Sequence, residues 1–179
     1  MKEEKRERER HNPDAEAGKF ASSPEFYREL EDELFSLLDG ESDWLANLAN
    51  TAALIYQRVP DLNWAGFYLR REGGELILGP FQGKTACVRI SVGDGVCGTA
   101  VAEEKAQLVP DVHDFPGHIA CDPRSRSELV IPLRVSGDII GVLDLDSPKL
   151  ERFDEDDLKG MQNLMQILLD ESCFTTYKF

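Results

Sequence analysis

No run of apolar residues in this 179-residue chain is long enough to cross a bilayer as a helix. The first eleven residues, MKEEKRERERH, are charged and have no apolar segment behind them. They do not read as a secretory leader, and their glutamates do not suit a transit peptide. The expected location is therefore cytoplasmic, where structural disulfides are rare. Excess positive charge is missing too: 34 acidic residues stand against 20 Lys and Arg, a net charge of −14. Phosphate backbones need clustered cations, and the one basic cluster, at the N-terminus, alternates with Glu. Neither nucleic acid nor membrane is expected as a partner. Close cysteine pairs are also absent. Cys87, Cys97 and Cys121 stand ten and twenty-four residues apart, whereas structural zinc sites use spacings such as C-x2-C, so no metal is expected. What the chain does have is 41% hydrophobic residues, enough for one domain with a core.

Residues 1–22 are polar and aperiodic, and are read as a disordered extension. Ser23-Pro24 then supplies an N-cap and a proline at the first helical position. Phe26, Leu30, Leu34, Leu37 and Leu38 follow at helical spacing, and Gly40 ends the segment. A second helix runs from Trp44 to about Val59, closed by Pro60. The period then changes to two. Asn63 to Leu69 reads as a strand with Trp64 and Tyr68 on one face, Phe67 and Leu69 on the other. Glu72-Gly73-Gly74 turns it into a return strand, Leu76 to Leu78. Further strands are read at Cys87–Ile90, Gln107–Val109, Glu128–Val135 and Asp138–Asp146, the last two joined as a hairpin at Ser136-Gly137. A short helix covers Val96 to Glu104, and Phe153-Asp154 opens the last one, with Asp157 completing a capping box. This order predicts an α+β domain over residues 23–172. Its antiparallel sheet carries the terminal helices on one face and a loop beginning at Pro110 on the other. Residues 173–179 are read as a C-terminal tail.

Residues with chemistry in them concentrate between Gly79 and Glu128, which hold three of the four cysteines and two of the three histidines. Pro110 to Ser127 shows no apolar periodicity, and a long loop of that kind in a compact domain is usually functional or disordered. Cys121 has His118, Arg124 and Arg126 as sequence neighbours, cations that favour a nucleophilic thiolate. Cys97 falls near a helix start, where the helix dipole lowers a thiol pKa, but it fits a small buried residue equally well. Cys173 reads as a bystander. Asp144 and Asp146 alternate with Leu143 and Leu145, so they share one sheet face, a costly arrangement unless a cation or a proton joins them. For Asp146 alone, a strand end emerging into water is the simpler account. Glu128 is a third acid. Trp64 and Tyr68, on the face of the acids, are either core or an amphipathic cup for an alkyl-sulfur or ammonium group.

Several long motifs then occur in order. They are Ala46-Asn47-Leu48-Ala49-Asn50, Asn63-Trp64-Ala65-Gly66-Phe67-Tyr68-Leu69, Leu78-Gly79-Pro80-Phe81-Gln82-Gly83 and Gly95-Val96-Cys97-Gly98-Thr99-Ala100. Pro116-Gly117-His118-Ile119-Ala120-Cys121-Asp122, Ser125-Arg126-Ser127-Glu128 and Gly141-Val142-Leu143-Asp144-Leu145-Asp146-Ser147-Pro148 complete the set. Over Pro24 to Leu169 the chain resembles the free methionine-(R)-sulfoxide reductases, cytosolic enzymes built on a GAF domain. The resemblance implies that Cys121 is the catalytic cysteine, that Cys87 forms the recycling disulfide with it, and that Cys97 can participate. It implies that Glu128, Asp144 and Asp146 bind the sulfoxide and the amino group, that Trp64 and Tyr68 surround the methyl-sulfur end, and that Ile119 and Ala120 belong to the substrate-binding loop. It further implies free methionine-(R)-sulfoxide as substrate and no bound cofactor. Thioredoxin would be the reductant, fed by NADPH through thioredoxin reductase, and the fold permits a homodimer. The alternative within the same fold is a sensor module that binds a small ligand or reports redox state without turnover.

Overall fold

The computed structural model describes residues 23–71, 73–118 and 122–174. Glu72 of the expected hairpin turn, loop residues Ile119, Ala120 and Cys121, the expected extension 1–22 and residues 175–179 lie outside the described residues. Among the described residues no helix is long and apolar enough to cross a membrane.

The first two helices begin where their caps dictate. Ser23 Oγ accepts from Phe26 N–H at 3.1 Å to start α1 (Pro24–Leu38). Asp43 Oδ1 accepts from Leu45 and Ala46 N–H, each at 2.9 Å, to start α2 (Trp44–Arg58). Six strands follow: β1 (Trp64–Arg70), β2 (Leu76–Gly83), β3 (Arg89–Ile90), β4 (Gln107–Val109), β5 (Ser127–Val135) and β6 (Asp138–Ser147). They form one antiparallel sheet in the order β3-β2-β1-β6-β5-β4. A short helix, α3 (Gly95–Ala102), lies between β3 and β4, and α4 (Glu155–Glu171) ends the domain. The result is the expected α+β arrangement.

Strand alternation divides the interior into two cores. Ala65, Phe67 and Leu69 face α1, α2 and α4 together with Leu129, Ile131, Leu143 and Leu145. Trp64 and Tyr68 face the other way, joining Val130 and Val142 and the Val96, Cys97, Ala100 and Val101 of α3. α4 is locked onto α1 by contact and charge. A Cβ on Gly160 would meet the Tyr27 ring at 2.1 Å, so the ring lies directly on the helix backbone. The Tyr27 hydroxyl donates to Asp157 Oδ1 at 2.7 Å, and Arg152 Nη1 lies 3.0 Å from Asp157 Oδ2. Asp157 also completes the capping box expected at Asp154.

The differences from the sequence expectation are local. β2 continues to Gly83 instead of stopping at Leu78. Gly66 pairs with Phe81 but Tyr68 pairs with Leu78, so β2 carries one extra residue there. Such a bulge is where a strand accommodates a proline, here Pro80. β3 is only Arg89–Ile90, which leaves Cys87 in the loop before it rather than on a strand. α3 ends at Ala102 because Glu104 adopts a left-handed φ of 55°. The loop after β4 contains a single 3-10 turn, Val112–Asp114, capped by Asp111. At the far end, Cys173 N–H donates to Ser42 O at 2.9 Å, and the buried Phe174 ring stacks on Trp44 at 6.1 Å. These first two residues of the expected tail therefore pack on the domain.

Candidate active site

Register across three strands gathers the site. β6 pairs with β1 so that Asp146 lies opposite Trp64 and Asp144 opposite Gly66. β6 also pairs with β5, setting Glu128 opposite Asp146 and Val130 opposite Asp144. Residues opposite or two apart on neighbouring strands share a face. All three acids thus converge on the side that α3 covers, beside Trp64 and Tyr68. Gly66 makes room for the rings. A Cβ there would meet Phe81 Cβ at 2.3 Å and the Trp64 ring at 2.8 Å. With hydrogen in that place, Trp64 stacks on Phe81 at 5.3 Å and on Tyr68 at 5.9 Å.

The polar ends of these rings hold the next loop. Trp64 Nε1 donates to Lys84 O and the Tyr68 hydroxyl donates to Cys87 O, both at 3.0 Å. The same two aromatics therefore serve as second-core residues, walls of a cleft and tethers of the segment that bears Cys87. Sequence alternation offered core or cup as alternatives; the rings are buried in the second core and also line the cleft.

The cleft encloses about 570 Å³ of empty space, a figure that includes open solvent at its mouth. Its floor is Glu128, Asp144 and Cys97, which are 6%, 7% and 3% exposed. Donor atoms of Cys97 and Glu128 lie within 4.8 Å of Asp144. Among the described residues the Asp144 Oδ1 has no hydrogen-bond partner. Burial pushes the Asp144 carboxyl up to about 7, and Cys97 and Glu128 pull the other way. Glu128 is driven well above the ordinary carboxylate range by burial and by the charges of Asp144 and Asp146. Asp146 is raised as well, by burial and then by Asp144, while a bond to Ser125 opposes the rise. Three carboxyls this close cannot all ionise, so the cluster holds protons that exposed acids would have lost.

Two expectations need correction. Asp146 does not emerge into water: it lines the cleft, and the following Ser147 is fully buried. The strand runs on because Ser127 and Ser147 still pair beyond the acids. The Cys97 thiol is not acidified by its helix. Burial first, then the charges of Asp144, Glu128 and Asp146, push it well up, which outweighs the dipole of a helix only eight residues long. The two arginines near Cys121 in sequence pair with carboxylates. Arg124 Nη2 lies 3.0 Å from Asp122 Oδ2, and Arg126 Nη2 lies 3.2 Å from Asp111 Oδ2. His118, 3.8 Å from Glu128 Oε2, is lowered by burial and so favours its neutral form. Cys121, Ile119 and Ala120 themselves lie outside the described residues.

Residues absent from the sequence-based set complete the rim: Lys84, His118, Asp122 and Ser125 line the cleft. Asn63 Nδ2 donates to Ser125 Oγ at 3.0 Å and to Asp122 Oδ2 at 3.3 Å, while Lys84 Nζ approaches Asp122 Oδ2 at 3.5 Å. The buried Asp122 thus ties the chain next to Cys121 to β1 and to the loop bearing Cys87. Hydrogen bonds from Arg124 hold its carboxyl well below the ordinary range. Asp122 and Ser125 sit inside motifs readable in the sequence, but nothing local to them announces this role. Among the described residues, Cys97, Glu128 and Asp144 form the one group whose donor atoms could share a metal ion. Cys87 is not part of it.

With the geometry in hand, comparison with known proteins places the chain. The profile of the GAF domain matches residues 45–168. The chain is 54% identical over 154 residues to the free methionine-R-sulfoxide reductase of Escherichia coli, covering 86% of this chain and 93% of that one. It is 45% identical over 144 residues to the enzyme of the same name from Saccharomyces cerevisiae, covering 76% and 79%. The fold matches the crystal structure of free methionine-R-sulfoxide reductase from Neisseria meningitidis in complex with its substrate. There the TM-score is 0.79 at 46% identity, covering 83% of this chain and 90% of that one.

Proposed function

This chain belongs to the GAF-domain family and, within it, to the free methionine-(R)-sulfoxide reductases, and from that premise we propose that it reduces free methionine-(R)-sulfoxide to methionine. In this reading Cys121 is the nucleophile, Cys87 or Cys97 the resolving thiol, and thioredoxin the reductant. One observation carries it: three buried carboxyls meet on one sheet face against two stacked rings, on the floor of one cleft.

Sulfoxide sulfur resists a nucleophile until its oxygen is protonated or hydrogen-bonded. Glu128, raised well above the ordinary range by burial and by its acidic neighbours, is suited to give that proton at neutral pH. Attack by the Cys121 thiolate then transfers the oxygen to the cysteine sulfur. The bond from oxygen to the substrate sulfur breaks, methionine leaves as the thioether, and Cys121 remains as a sulfenic acid. A second thiol displaces water from that sulfenic acid to form a disulfide. Cys87 is the better candidate, because the Tyr68 hydroxyl holds its carbonyl, while Cys97 is buried beneath the acids with its thiol proton held firmly. Thioredoxin returns both sulfurs to thiols by exchange, with two electrons from NADPH through thioredoxin reductase. A reducing compartment such as the cytoplasm suits that cycle. The substrate ammonium explains the surplus of acids: it offsets charge that the sulfoxide does not need. The rings of Trp64 and Tyr68 take the methyl-sulfur end.

The test is thioredoxin-coupled NADPH consumption with separated R and S epimers of free methionine sulfoxide and an R-configured peptide as control. Turnover on the free R epimer alone is expected. Cys121→Ser should abolish it, and Cys87→Ser should allow one turnover but stop recycling. Full activity in Cys121→Ser would overturn the mechanism. Absence of turnover with every substrate, from folded and reduced protein, would leave a ligand-binding sensor as the better account.

A further inference from the structure

We propose that Cys97, Glu128 and Asp144 form a binding site for a thiophilic divalent cation of the zinc class, which enters the cleft when substrate is absent and blocks it. The site is built before any ion arrives. One donor atom from each of the three residues lies within 4.8 Å of the other two, and all three side chains are more than nine-tenths buried. Asp144 lines the cleft, and among the described residues its buried Oδ1 has no hydrogen-bond partner. A buried carboxylate is normally paired with a cation or bound to a metal. Among the described residues no Lys or Arg pairs with Glu128, Asp144 or Asp146, and the one basic neighbour is His118 at 3.8 Å from Glu128.

The donor set selects the ion. One thiol and two carboxylates, with an imidazole at the rim, exclude calcium and magnesium, which take oxygen shells, and match zinc or cobalt. Such an ion bonds at about 2.0–2.3 Å and draws tetrahedral ligands to roughly 3.5 Å from one another. The three donor atoms, within 4.8 Å of one another, are already near that spacing. Three protein ligands leave a fourth position open to the cleft mouth, available to His118 or water. Binding displaces the thiol proton of Cys97 and the carboxyl proton of Glu128 to solvent as the metal–sulfur and metal–oxygen bonds form; no electron moves. The blocking half of the proposal rests on reading this cleft as the substrate site, since the ion would occupy the carboxylates assigned to the sulfoxide and ammonium. The metal-binding half does not.

Cobalt(II) added anaerobically to the fully reduced full-length chain separates the two. One equivalent should bind and give a thiolate-to-cobalt charge-transfer band. The band should persist in Cys173→Ser and Cys121→Ser and vanish in Cys97→Ser. Asp144→Asn should weaken binding on the order of 100-fold, with circular dichroism confirming that each variant is folded. Glu128→Gln provides a second reading should Asp144→Asn fail to fold. No band in folded reduced protein, or a band that survives in Cys97→Ser, would overturn the site. Free methionine sulfoxide should expel the ion. If cobalt binds at Cys97 but the sulfoxide does not compete, the cation site stands and the substrate reading of the cleft fails.

Discussion

Replacing Asp144 by Asn should make the protein more stable and less active, and the size of the gain follows from the cleft floor. Asp144 titrates at about 7, against an ordinary value of 3.8, chiefly because burial penalises its charge. At ~1.4 kcal/mol for each pH unit, that difference is worth about 4 kcal/mol. The direction is fixed by proton counting. Between about pH 4 and 7 the folded carboxyl keeps a proton that the unfolded chain releases, so the folded state binds more protons. Stability therefore falls as pH rises through that window, and the whole penalty stands above about pH 7. Asn carries no such penalty. Its removal of a charge also relieves Glu128 and Asp146, whose carboxyls Asp144 pushes up. We expect Asp144→Asn to gain ~2–4 kcal/mol at pH 8 and to differ little at pH 4.5. Urea denaturation of the reduced protein, followed through the fluorescence of the buried Trp64, reads both values. Turnover of free methionine-(R)-sulfoxide should fall on the order of 100-fold. A variant less stable than the parent at pH 8, or one shifted equally at both pH values, would refute the claim that burying this charge costs the fold.

Two further substitutions test the frame that holds the site. Gly66→Ala forces a methyl against Phe81 and Trp64 at distances that real side chains do not tolerate. It should cost ~1–3 kcal/mol in urea denaturation and shift the Trp64 emission, because the ring must leave its stack. Asp157→Asn leaves Arg152 buried without its carboxylate; the Arg152 side chain is 7% exposed and that of Asp157 0%. The cost should be ~3–5 kcal/mol with no change in epimer preference, since the pair lies on the helical side of the sheet, away from the cleft.

The sequence by itself determined the four helices, the six strands and the apolar face of the sheet, but not the 3-10 turn or the bounds of β2 and β3. Caps at Ser23, Asp43 and Asp154, punctuation at Gly40 and Pro60, and the change from helical to alternating period at Asn63 are local signals. Local backbone chemistry answers to them directly. Alternation also sorted Trp64 and Tyr68 from Phe67 and Leu69, and set Asp144 and Asp146 together. What alternation cannot supply is who stands opposite. Glu128 meets Asp146 only because β5 pairs with β6 in one register, and a slip of one residue would turn the acids into the helical core. The β2 bulge at Pro80 and the shortening of β3 are decided by the same cross-strand fit. Charge environment is the other part that only the tertiary structure decided. Cys97 near a helix start reads as an acidified thiol, yet three distant carboxyls and burial reverse the sign. The pairing of Arg124 with Asp122 and of Arg126 with Asp111 is likewise set by the fold. Asp122 lies beside Cys121 in sequence, but its work is to bind Asn63 and Lys84, residues about sixty and forty positions back along the chain. Local sequence fixes backbone geometry because its causes act within a few residues. The pKa values and the cleft arise from groups that meet only after the chain has folded.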